Sequence, residues 1–306
     1  HYNEIDMSSS LFDFYCESTG VISPVWVDIE PIAIVEYEDS EGQLCSGGGQ
    51  NIYVDSSIPF ECLEEGCGVN TNPFKTIKRV LEVINPTDIS PKTINLASGV
   101  YSPNTGEIFP INLISNIDIK GINKETTILD AMETDRVINI IDCENTSITG
   151  VTIKGGNANS SINGSGGGIY LSYSDPELRD INIFENSAYN GGGIYMEYSN
   201  PIMNRINIYD NFANERGAGI SLMQSNPIIY NVNIVHNTAL ITASAIDLKE
   251  ESAPIITNSI IWGNDPLYNN ILWLEEQQSP MVEYSNFEIH ILTAIEINYI
   301  TILAEQ

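Results

Sequence analysis

The chain has 306 residues, with 12 Lys+Arg against 41 Asp+Glu and a formal charge of −29 at pH 7. Such acidity repels nucleic acid and anionic membrane surfaces, and it argues against an acidic polysaccharide ligand unless cations bridge the two. No apolar run is long enough to span a bilayer, so membrane insertion is not expected, and no signal-peptide pattern stands at His1, as in a processed or excised piece.

Residues 1–50 do not match the coil pattern of the later chain and read as an N-terminal extension or the end of an upstream module. Within them "VWVDIEPIAIVEYED" (25–39) alternates, which predicts two strands around Pro31, and "CSGGGQ" reads as a linker. Of five cysteines, Cys62 and Cys67 flank "LEEG" and suit a short disulfide loop. Cys16 and Cys45 are candidates for a second bridge, which leaves Cys143 alone. This usage favours an oxidising, extracellular setting. From Asn72, "NPFKTIKRVLEVINP" places Phe74, Ile77, Val80, Leu81 and Ile84 on one face of an amphipathic helix, expected over 73–84. Asn72 is its expected cap, Pro73 suits its first turn and Pro86 stops it. Such a helix would cover the open end of a sheet built from the residues after it.

Two further columns set a period. Pro176, Pro201, Pro227, Pro254 and Pro280 are 25, 26, 27 and 26 residues apart, and Asn186, Asn211, Asn237 and Asn264 keep step with them. Between these lie short apolar alternations, Ile181/Ile183, Ile206/Ile208 and Val232/Ile234, and a second set comes after each glycine cluster, beginning with Ile169/Leu171. Period-two alternation is a strand signal, and no helical stripe occurs in these units. A unit of this size cannot bury its own apolar face, whereas stacked units share a continuous core. The expected fold is therefore all-β, a solenoid of coils of about 25–27 residues, with the four asparagines stacked as an interior turn ladder.

Residues 137–290, with "GGGIY…SNP" coils, resemble the right-handed parallel β-helix of the pectate-lyase-like superfold, most closely that of bacterial secreted proteins. Upstream, "NIYVDSS" (51–57), "TINLASGVY" (93–101) and "IDIKGINKETTILDA" (117–131) are similar to a module of unknown function that opens many such proteins. The resemblance implies a right-handed β-helix over 51–290, with the helix 73–84 as its cap and the regular coils at 166–290. It leaves 291–306 as a closing cap or truncated coil. It implies nothing firm about activity, because one superfold hosts many chemistries.

Stacking turns sequence spacing into spatial columns, and three of these are candidates. Glu185, Asp210 and His236 would stand about 5 Å apart on successive coils, as an acid/base set or a cation site; a plain solvent-exposed turn is the competing account. Asp180 and Arg205 form a second column. The resemblance implies Arg as the base of a polysaccharide lyase with Ca²⁺ as its cofactor, whereas a simple inter-coil salt bridge satisfies the same two residues. In the third, Tyr170 lies over Tyr195 and Tyr173 over Tyr198, either to stack on sugars or only on each other.

The expected function is a non-catalytic extracellular surface or matrix protein, adhesin-like or filament-forming, with no required cofactor. The alternative is a carbohydrate-active enzyme, most readily a Ca-dependent lyase, or a carbohydrate-binding β-helix. The apolar tail "ILTAIEINYITIL" (291–303) suggests self-association into fibres.

Overall fold

The computed structural model describes residues 23–26, 35–38, 44–45, 50–63, 66–159, 164–264, 271–273 and 280–287. Cys16 and the tail 291–303 lie outside them, and so do the second disulfide and the self-association surface expected there. Ser23–Trp26 and Val35–Glu38 form the two strands expected around Pro31, pair antiparallel, and are joined by Leu44–Cys45.

From Asn51 onward the strands are parallel and the chain winds as a β-helix. One wall is a seven-stranded sheet that runs from Ile111–Asn112 to Ile271–Trp273, one strand per coil. Its register stacks Ile138, Ile169, Ile194, Ile220 and Ile246 in one line, and Ile140, Leu171, Met196, Leu222 and Leu248 in another. These side chains are essentially fully buried. A second wall of fifteen strands bends within each coil, and Ser187–Asn190, Phe212–Arg216 and Thr238–Ala239 make a third, shorter wall. The bend in the second wall falls at Asp180, Arg205, Asn231 and Asn258, all with φ between 48° and 56°. It divides each long strand into two legs, such as 177–179 and 181–184. Alternation within each leg sends Leu178, Ile181, Ile183, Met203, Ile206 and Ile208 inward.

Two interior ladders fix the corners. The Asn186 amide donates to Asn211 Oδ1, Asn211 to Asn237 and Asn237 to Asn264, each at 3.0 Å. Each Oδ1 also accepts the backbone N–H of the previous asparagine at 3.0–3.2 Å. At the opposite corner the backbone N–H groups of Cys143, Ser174, Ser199 and Ser225 donate to the next coil's serine hydroxyl at 2.9–3.1 Å. Buried backbone groups that the turns free from strand pairing are thereby satisfied. Beside the asparagines, a Cβ at Gly193 would meet the Gly219 carbonyl oxygen at 2.6 Å, so a side chain at this position would push the two coils apart.

The helix spans Ile77–Val83, four residues later than expected at its start. Phe74 is held in extended backbone instead: its N–H donates to Tyr53 O at 2.9 Å, and its carbonyl accepts from Asp55 N at 2.8 Å. Strand pairing thus wins over helix propensity, and Thr76 rather than Asn72 is the cap, accepting from Arg79 N. Glu107, nearly fully buried, accepts from the N–H groups of Ile77 and Lys78 at 2.7 and 3.0 Å. The Cys62–Cys67 disulfide closes the loop just before this segment, with Cα atoms 5.7 Å apart. Cys143 is a buried free thiol.

Candidate functional site

The outer surface of the second leg, strands 181–184, 206–209, 233–235 and 260–262, gathers most of the candidate residues. Register places four columns side by side. Asp180, Arg205, Asn231 and Asn258 line one edge at the bend. Asn182, Asn207 and Asn233 come next, their amides bonded coil to coil at 2.9 and 2.8 Å. Then come Lys154, Phe184, Tyr209, Val235 and Trp262. Glu185, Asp210 and His236 form the other edge, at φ 53°, 52° and 55°, and Gly263 continues it. Inward isoleucines at 183, 208, 234 and 261 anchor all four columns from below.

Both cations within this surface are occupied. Lys154 Nζ lies 2.7 Å from Glu185 Oε2 and 5.2 Å above the Phe184 ring, and the Glu185 carboxylate holds the ammonium above its ordinary pKa. Arg205 grips Asp180 with two bonds, Nε at 2.6 Å and Nη2 at 2.5 Å, which holds the Asp180 carboxyl below its ordinary range. Arg205 is thus an inter-coil salt bridge. It does not stand free as a lyase base. The Asp210 carboxylate is exposed and has no hydrogen-bond or ion-pair partner among the described residues. Burial, then Asp210 and Glu185, raise the Tyr209 phenol. His236 is exposed, and a Cβ at Gly263 would lie 3.1 Å from its Nε2. Phe184 and Tyr209 stack with centroids 4.8 Å apart, and Trp262, the last of this column among the described residues, is 48% exposed. Among the described residues no three His, Cys, Asp or Glu side chains converge to hold a metal.

The tyrosines divide. Tyr173 and Tyr198 are exposed and stack at 4.7 Å and 10°, so each ring covers the other's face, and what they offer outward is mostly edge. Tyr170 and Tyr195 stack at 5.5 Å on the outer side of the seven-stranded sheet, but they are only 5% and 8% exposed. Tyr170 donates to Glu197 at 3.0 Å, and Arg136 sits 4.7 Å from the Tyr170 ring. The expectation of an outward sugar platform at Tyr170 and Tyr195 is therefore corrected, because both rings are buried among neighbouring side chains. Their column continues through Ser221 to Asp247, which the spacing alone could have revealed. Asp247 is fully buried, accepts from Ser221 Oγ and Lys249 Nζ at 3.3 Å each, and leaves Oδ1 without a partner.

The family described as "Right handed beta helix region" matches residues 126–288. No curated protein matches the chain in sequence. Among solved structures it is similar to a pectin methylesterase from carrot, at 10% identity over 78% of this chain and 82% of that one, with a TM-score of 0.44. It is also similar to a pectin methylesterase in complex with a hexasaccharide, at 13% identity over 78% and 79%, with a TM-score of 0.48. The non-catalytic surface or filament reading is corrected here: the structures found beside this chain are named as enzymes, which stand with the alternative. Likeness at this level bears on the winding alone, so any activity has to be argued from the surface described above.

Proposed function

Because the chain belongs to the right-handed β-helix family, with equivalent side chains stacked coil upon coil, we propose that it is a carbohydrate-active protein that holds a polysaccharide along the second leg. The observation that carries this reading is the meeting of three features on one exposed surface: an amide ladder, an aromatic column and the Glu185/Asp210/His236 edge. Amides match sugar hydroxyls as both donors and acceptors, and an exposed ring such as Trp262 can meet the apolar side of a pyranose.

Glu185 and Asp210 stand one coil apart, about 4.8 Å along the axis. The Glu185 carboxylate is held by Lys154, so Asp210 is the carboxyl of this pair left to act on a substrate. In this reading Asp210, with no partner of its own, and the adjacent His236 carry protons to and from a glycosidic or ester oxygen. Lyase chemistry is less well served, since Arg205 and Lys154 are both ion-paired. The Cys62–Cys67 disulfide supports an extracellular setting for this activity.

Release of reducing ends and of alcohol from a panel of neutral and acidic polysaccharides tests the proposal. Asp210→Asn and His236→Ala should abolish turnover while circular dichroism stays unchanged. A wild-type chain that neither binds nor processes any member of the panel would remove the reading.

A further inference from the structure

We infer that the second-leg surface selects an uncharged glycan and rejects a uronate, because each cation within it is already neutralised by a neighbouring carboxylate. This deepens the polysaccharide reading and rests on it. A carboxylated sugar needs a free donor cation to replace the water that it loses on binding. Lys154 is committed to Glu185 at 2.7 Å and also feels Asp130, its register neighbour on the preceding coil. Both donor arms of Arg205 that face the surface go to Asp180. At the margin Arg179 pairs with Glu177, and the charge of Lys124 acts on Asp180. The unpaired charge that remains among these columns is the Asp210 carboxylate, which repels a uronate. The middle of the surface is uncharged: the amides of Asn182, Asn207 and Asn233, the Phe184/Tyr209 stack, and Ile260 and Trp262, 45% and 48% exposed.

A matched pair of polymers isolates the effect of charge: a soluble neutral glucan and its carboxymethyl derivative, on which the backbone is the same. Binding is read by titration calorimetry on the full chain at low and high salt, for the wild type and for the double variant Asp180→Asn/Glu185→Gln, which frees Arg205 and Lys154. The wild type should bind the neutral polymer with little dependence on salt, because no ion pair forms. It should bind the carboxymethyl form about fivefold more weakly at low salt, and the double variant should recover that loss. Circular dichroism and an unchanged unfolding midpoint show that the fold of the double variant is intact. Equal or tighter wild-type binding of the carboxymethyl form overturns the inference and leaves the polysaccharide reading standing. Failure to bind either polymer removes that reading and this inference with it.

Discussion

His236 has φ 55°, in a column whose next member is Gly263 at 62°. The left-handed region costs an ordinary L-residue about 1–2 kcal/mol, less for asparagine and little for glycine. Glu185, Asp210 and His236 thus sit at corners for which the chain itself uses glycine one coil later. The same conformation recurs at other corners, among them Asp180, Arg205, Tyr173, Tyr198 and Gln224, so it marks the turn of the solenoid and not a function. His236→Asn should therefore raise stability by about 0.5 kcal/mol while removing activity; a variant that is destabilised, or equally active, contradicts this. Asp247 allows a second test at the same scale. Burial raises its pKa above the ordinary 3.8, against the opposing pull of Lys249, Arg216 and Ser221. The folded state then binds the proton more readily than the unfolded state does, so the charged form weakens folding at neutral pH and the penalty fades as pH falls towards 3.8. Asp247→Asn, whose amide oxygen still accepts from Ser221 and Lys249, should raise the melting temperature at pH 7 by an amount that shrinks steadily towards pH 4. An advantage independent of pH would rule out this account.

At the scale of elements, the corners hold the coils in register. The asparagine ladder was legible in the sequence because the column keeps step with the prolines. The serine ladder through Ser174, Ser199 and Ser225 was not, since a serine beside Asn-Pro reads as ordinary turn chemistry. Asn211 is bonded to both neighbours, accepting from Asn186 and donating to Asn237 and to Ile183 O. Asn211→Leu leaves these groups buried without partners and should cost about 1–3 kcal/mol in chemical denaturation. No measurable loss would mean that water replaces the ladder. The helix shows the limit of local reading. Its apolar stripe was visible, yet Phe74 failed to join it because pairing with Tyr53 and Asp55 claims its backbone, while that of Asn72 is bonded to Val69 and Gly68.

For the molecule as a whole, the formal charge of −29 is a repulsion spread over a solenoid with few cations to offset it. Moderate salt should screen it and raise the melting temperature, and a melting curve unmoved between low and high ionic strength would show that the carboxylates are locally compensated. The sequence by itself determined the winding. A period of 25–27 residues with alternation inside it admits only stacked coils, and stacking converts spacing into columns, so Glu185, Asp210 and His236 were aligned before any coordinate was known. Tertiary structure alone decided which columns share a surface and which of them water can reach. Alternation distinguishes inside from outside, but outside is not the same as exposed: Tyr170 and Tyr173 lie three residues apart in one motif, and one is 5% exposed and the other 59%. Tyr170 is covered by the turn at Gly166, where a Cβ would stand 2.9 Å from its own, by Arg136 over its ring and by Glu197 at its hydroxyl, so its burial follows from how the turns fold and the coils stack, which alternation does not encode.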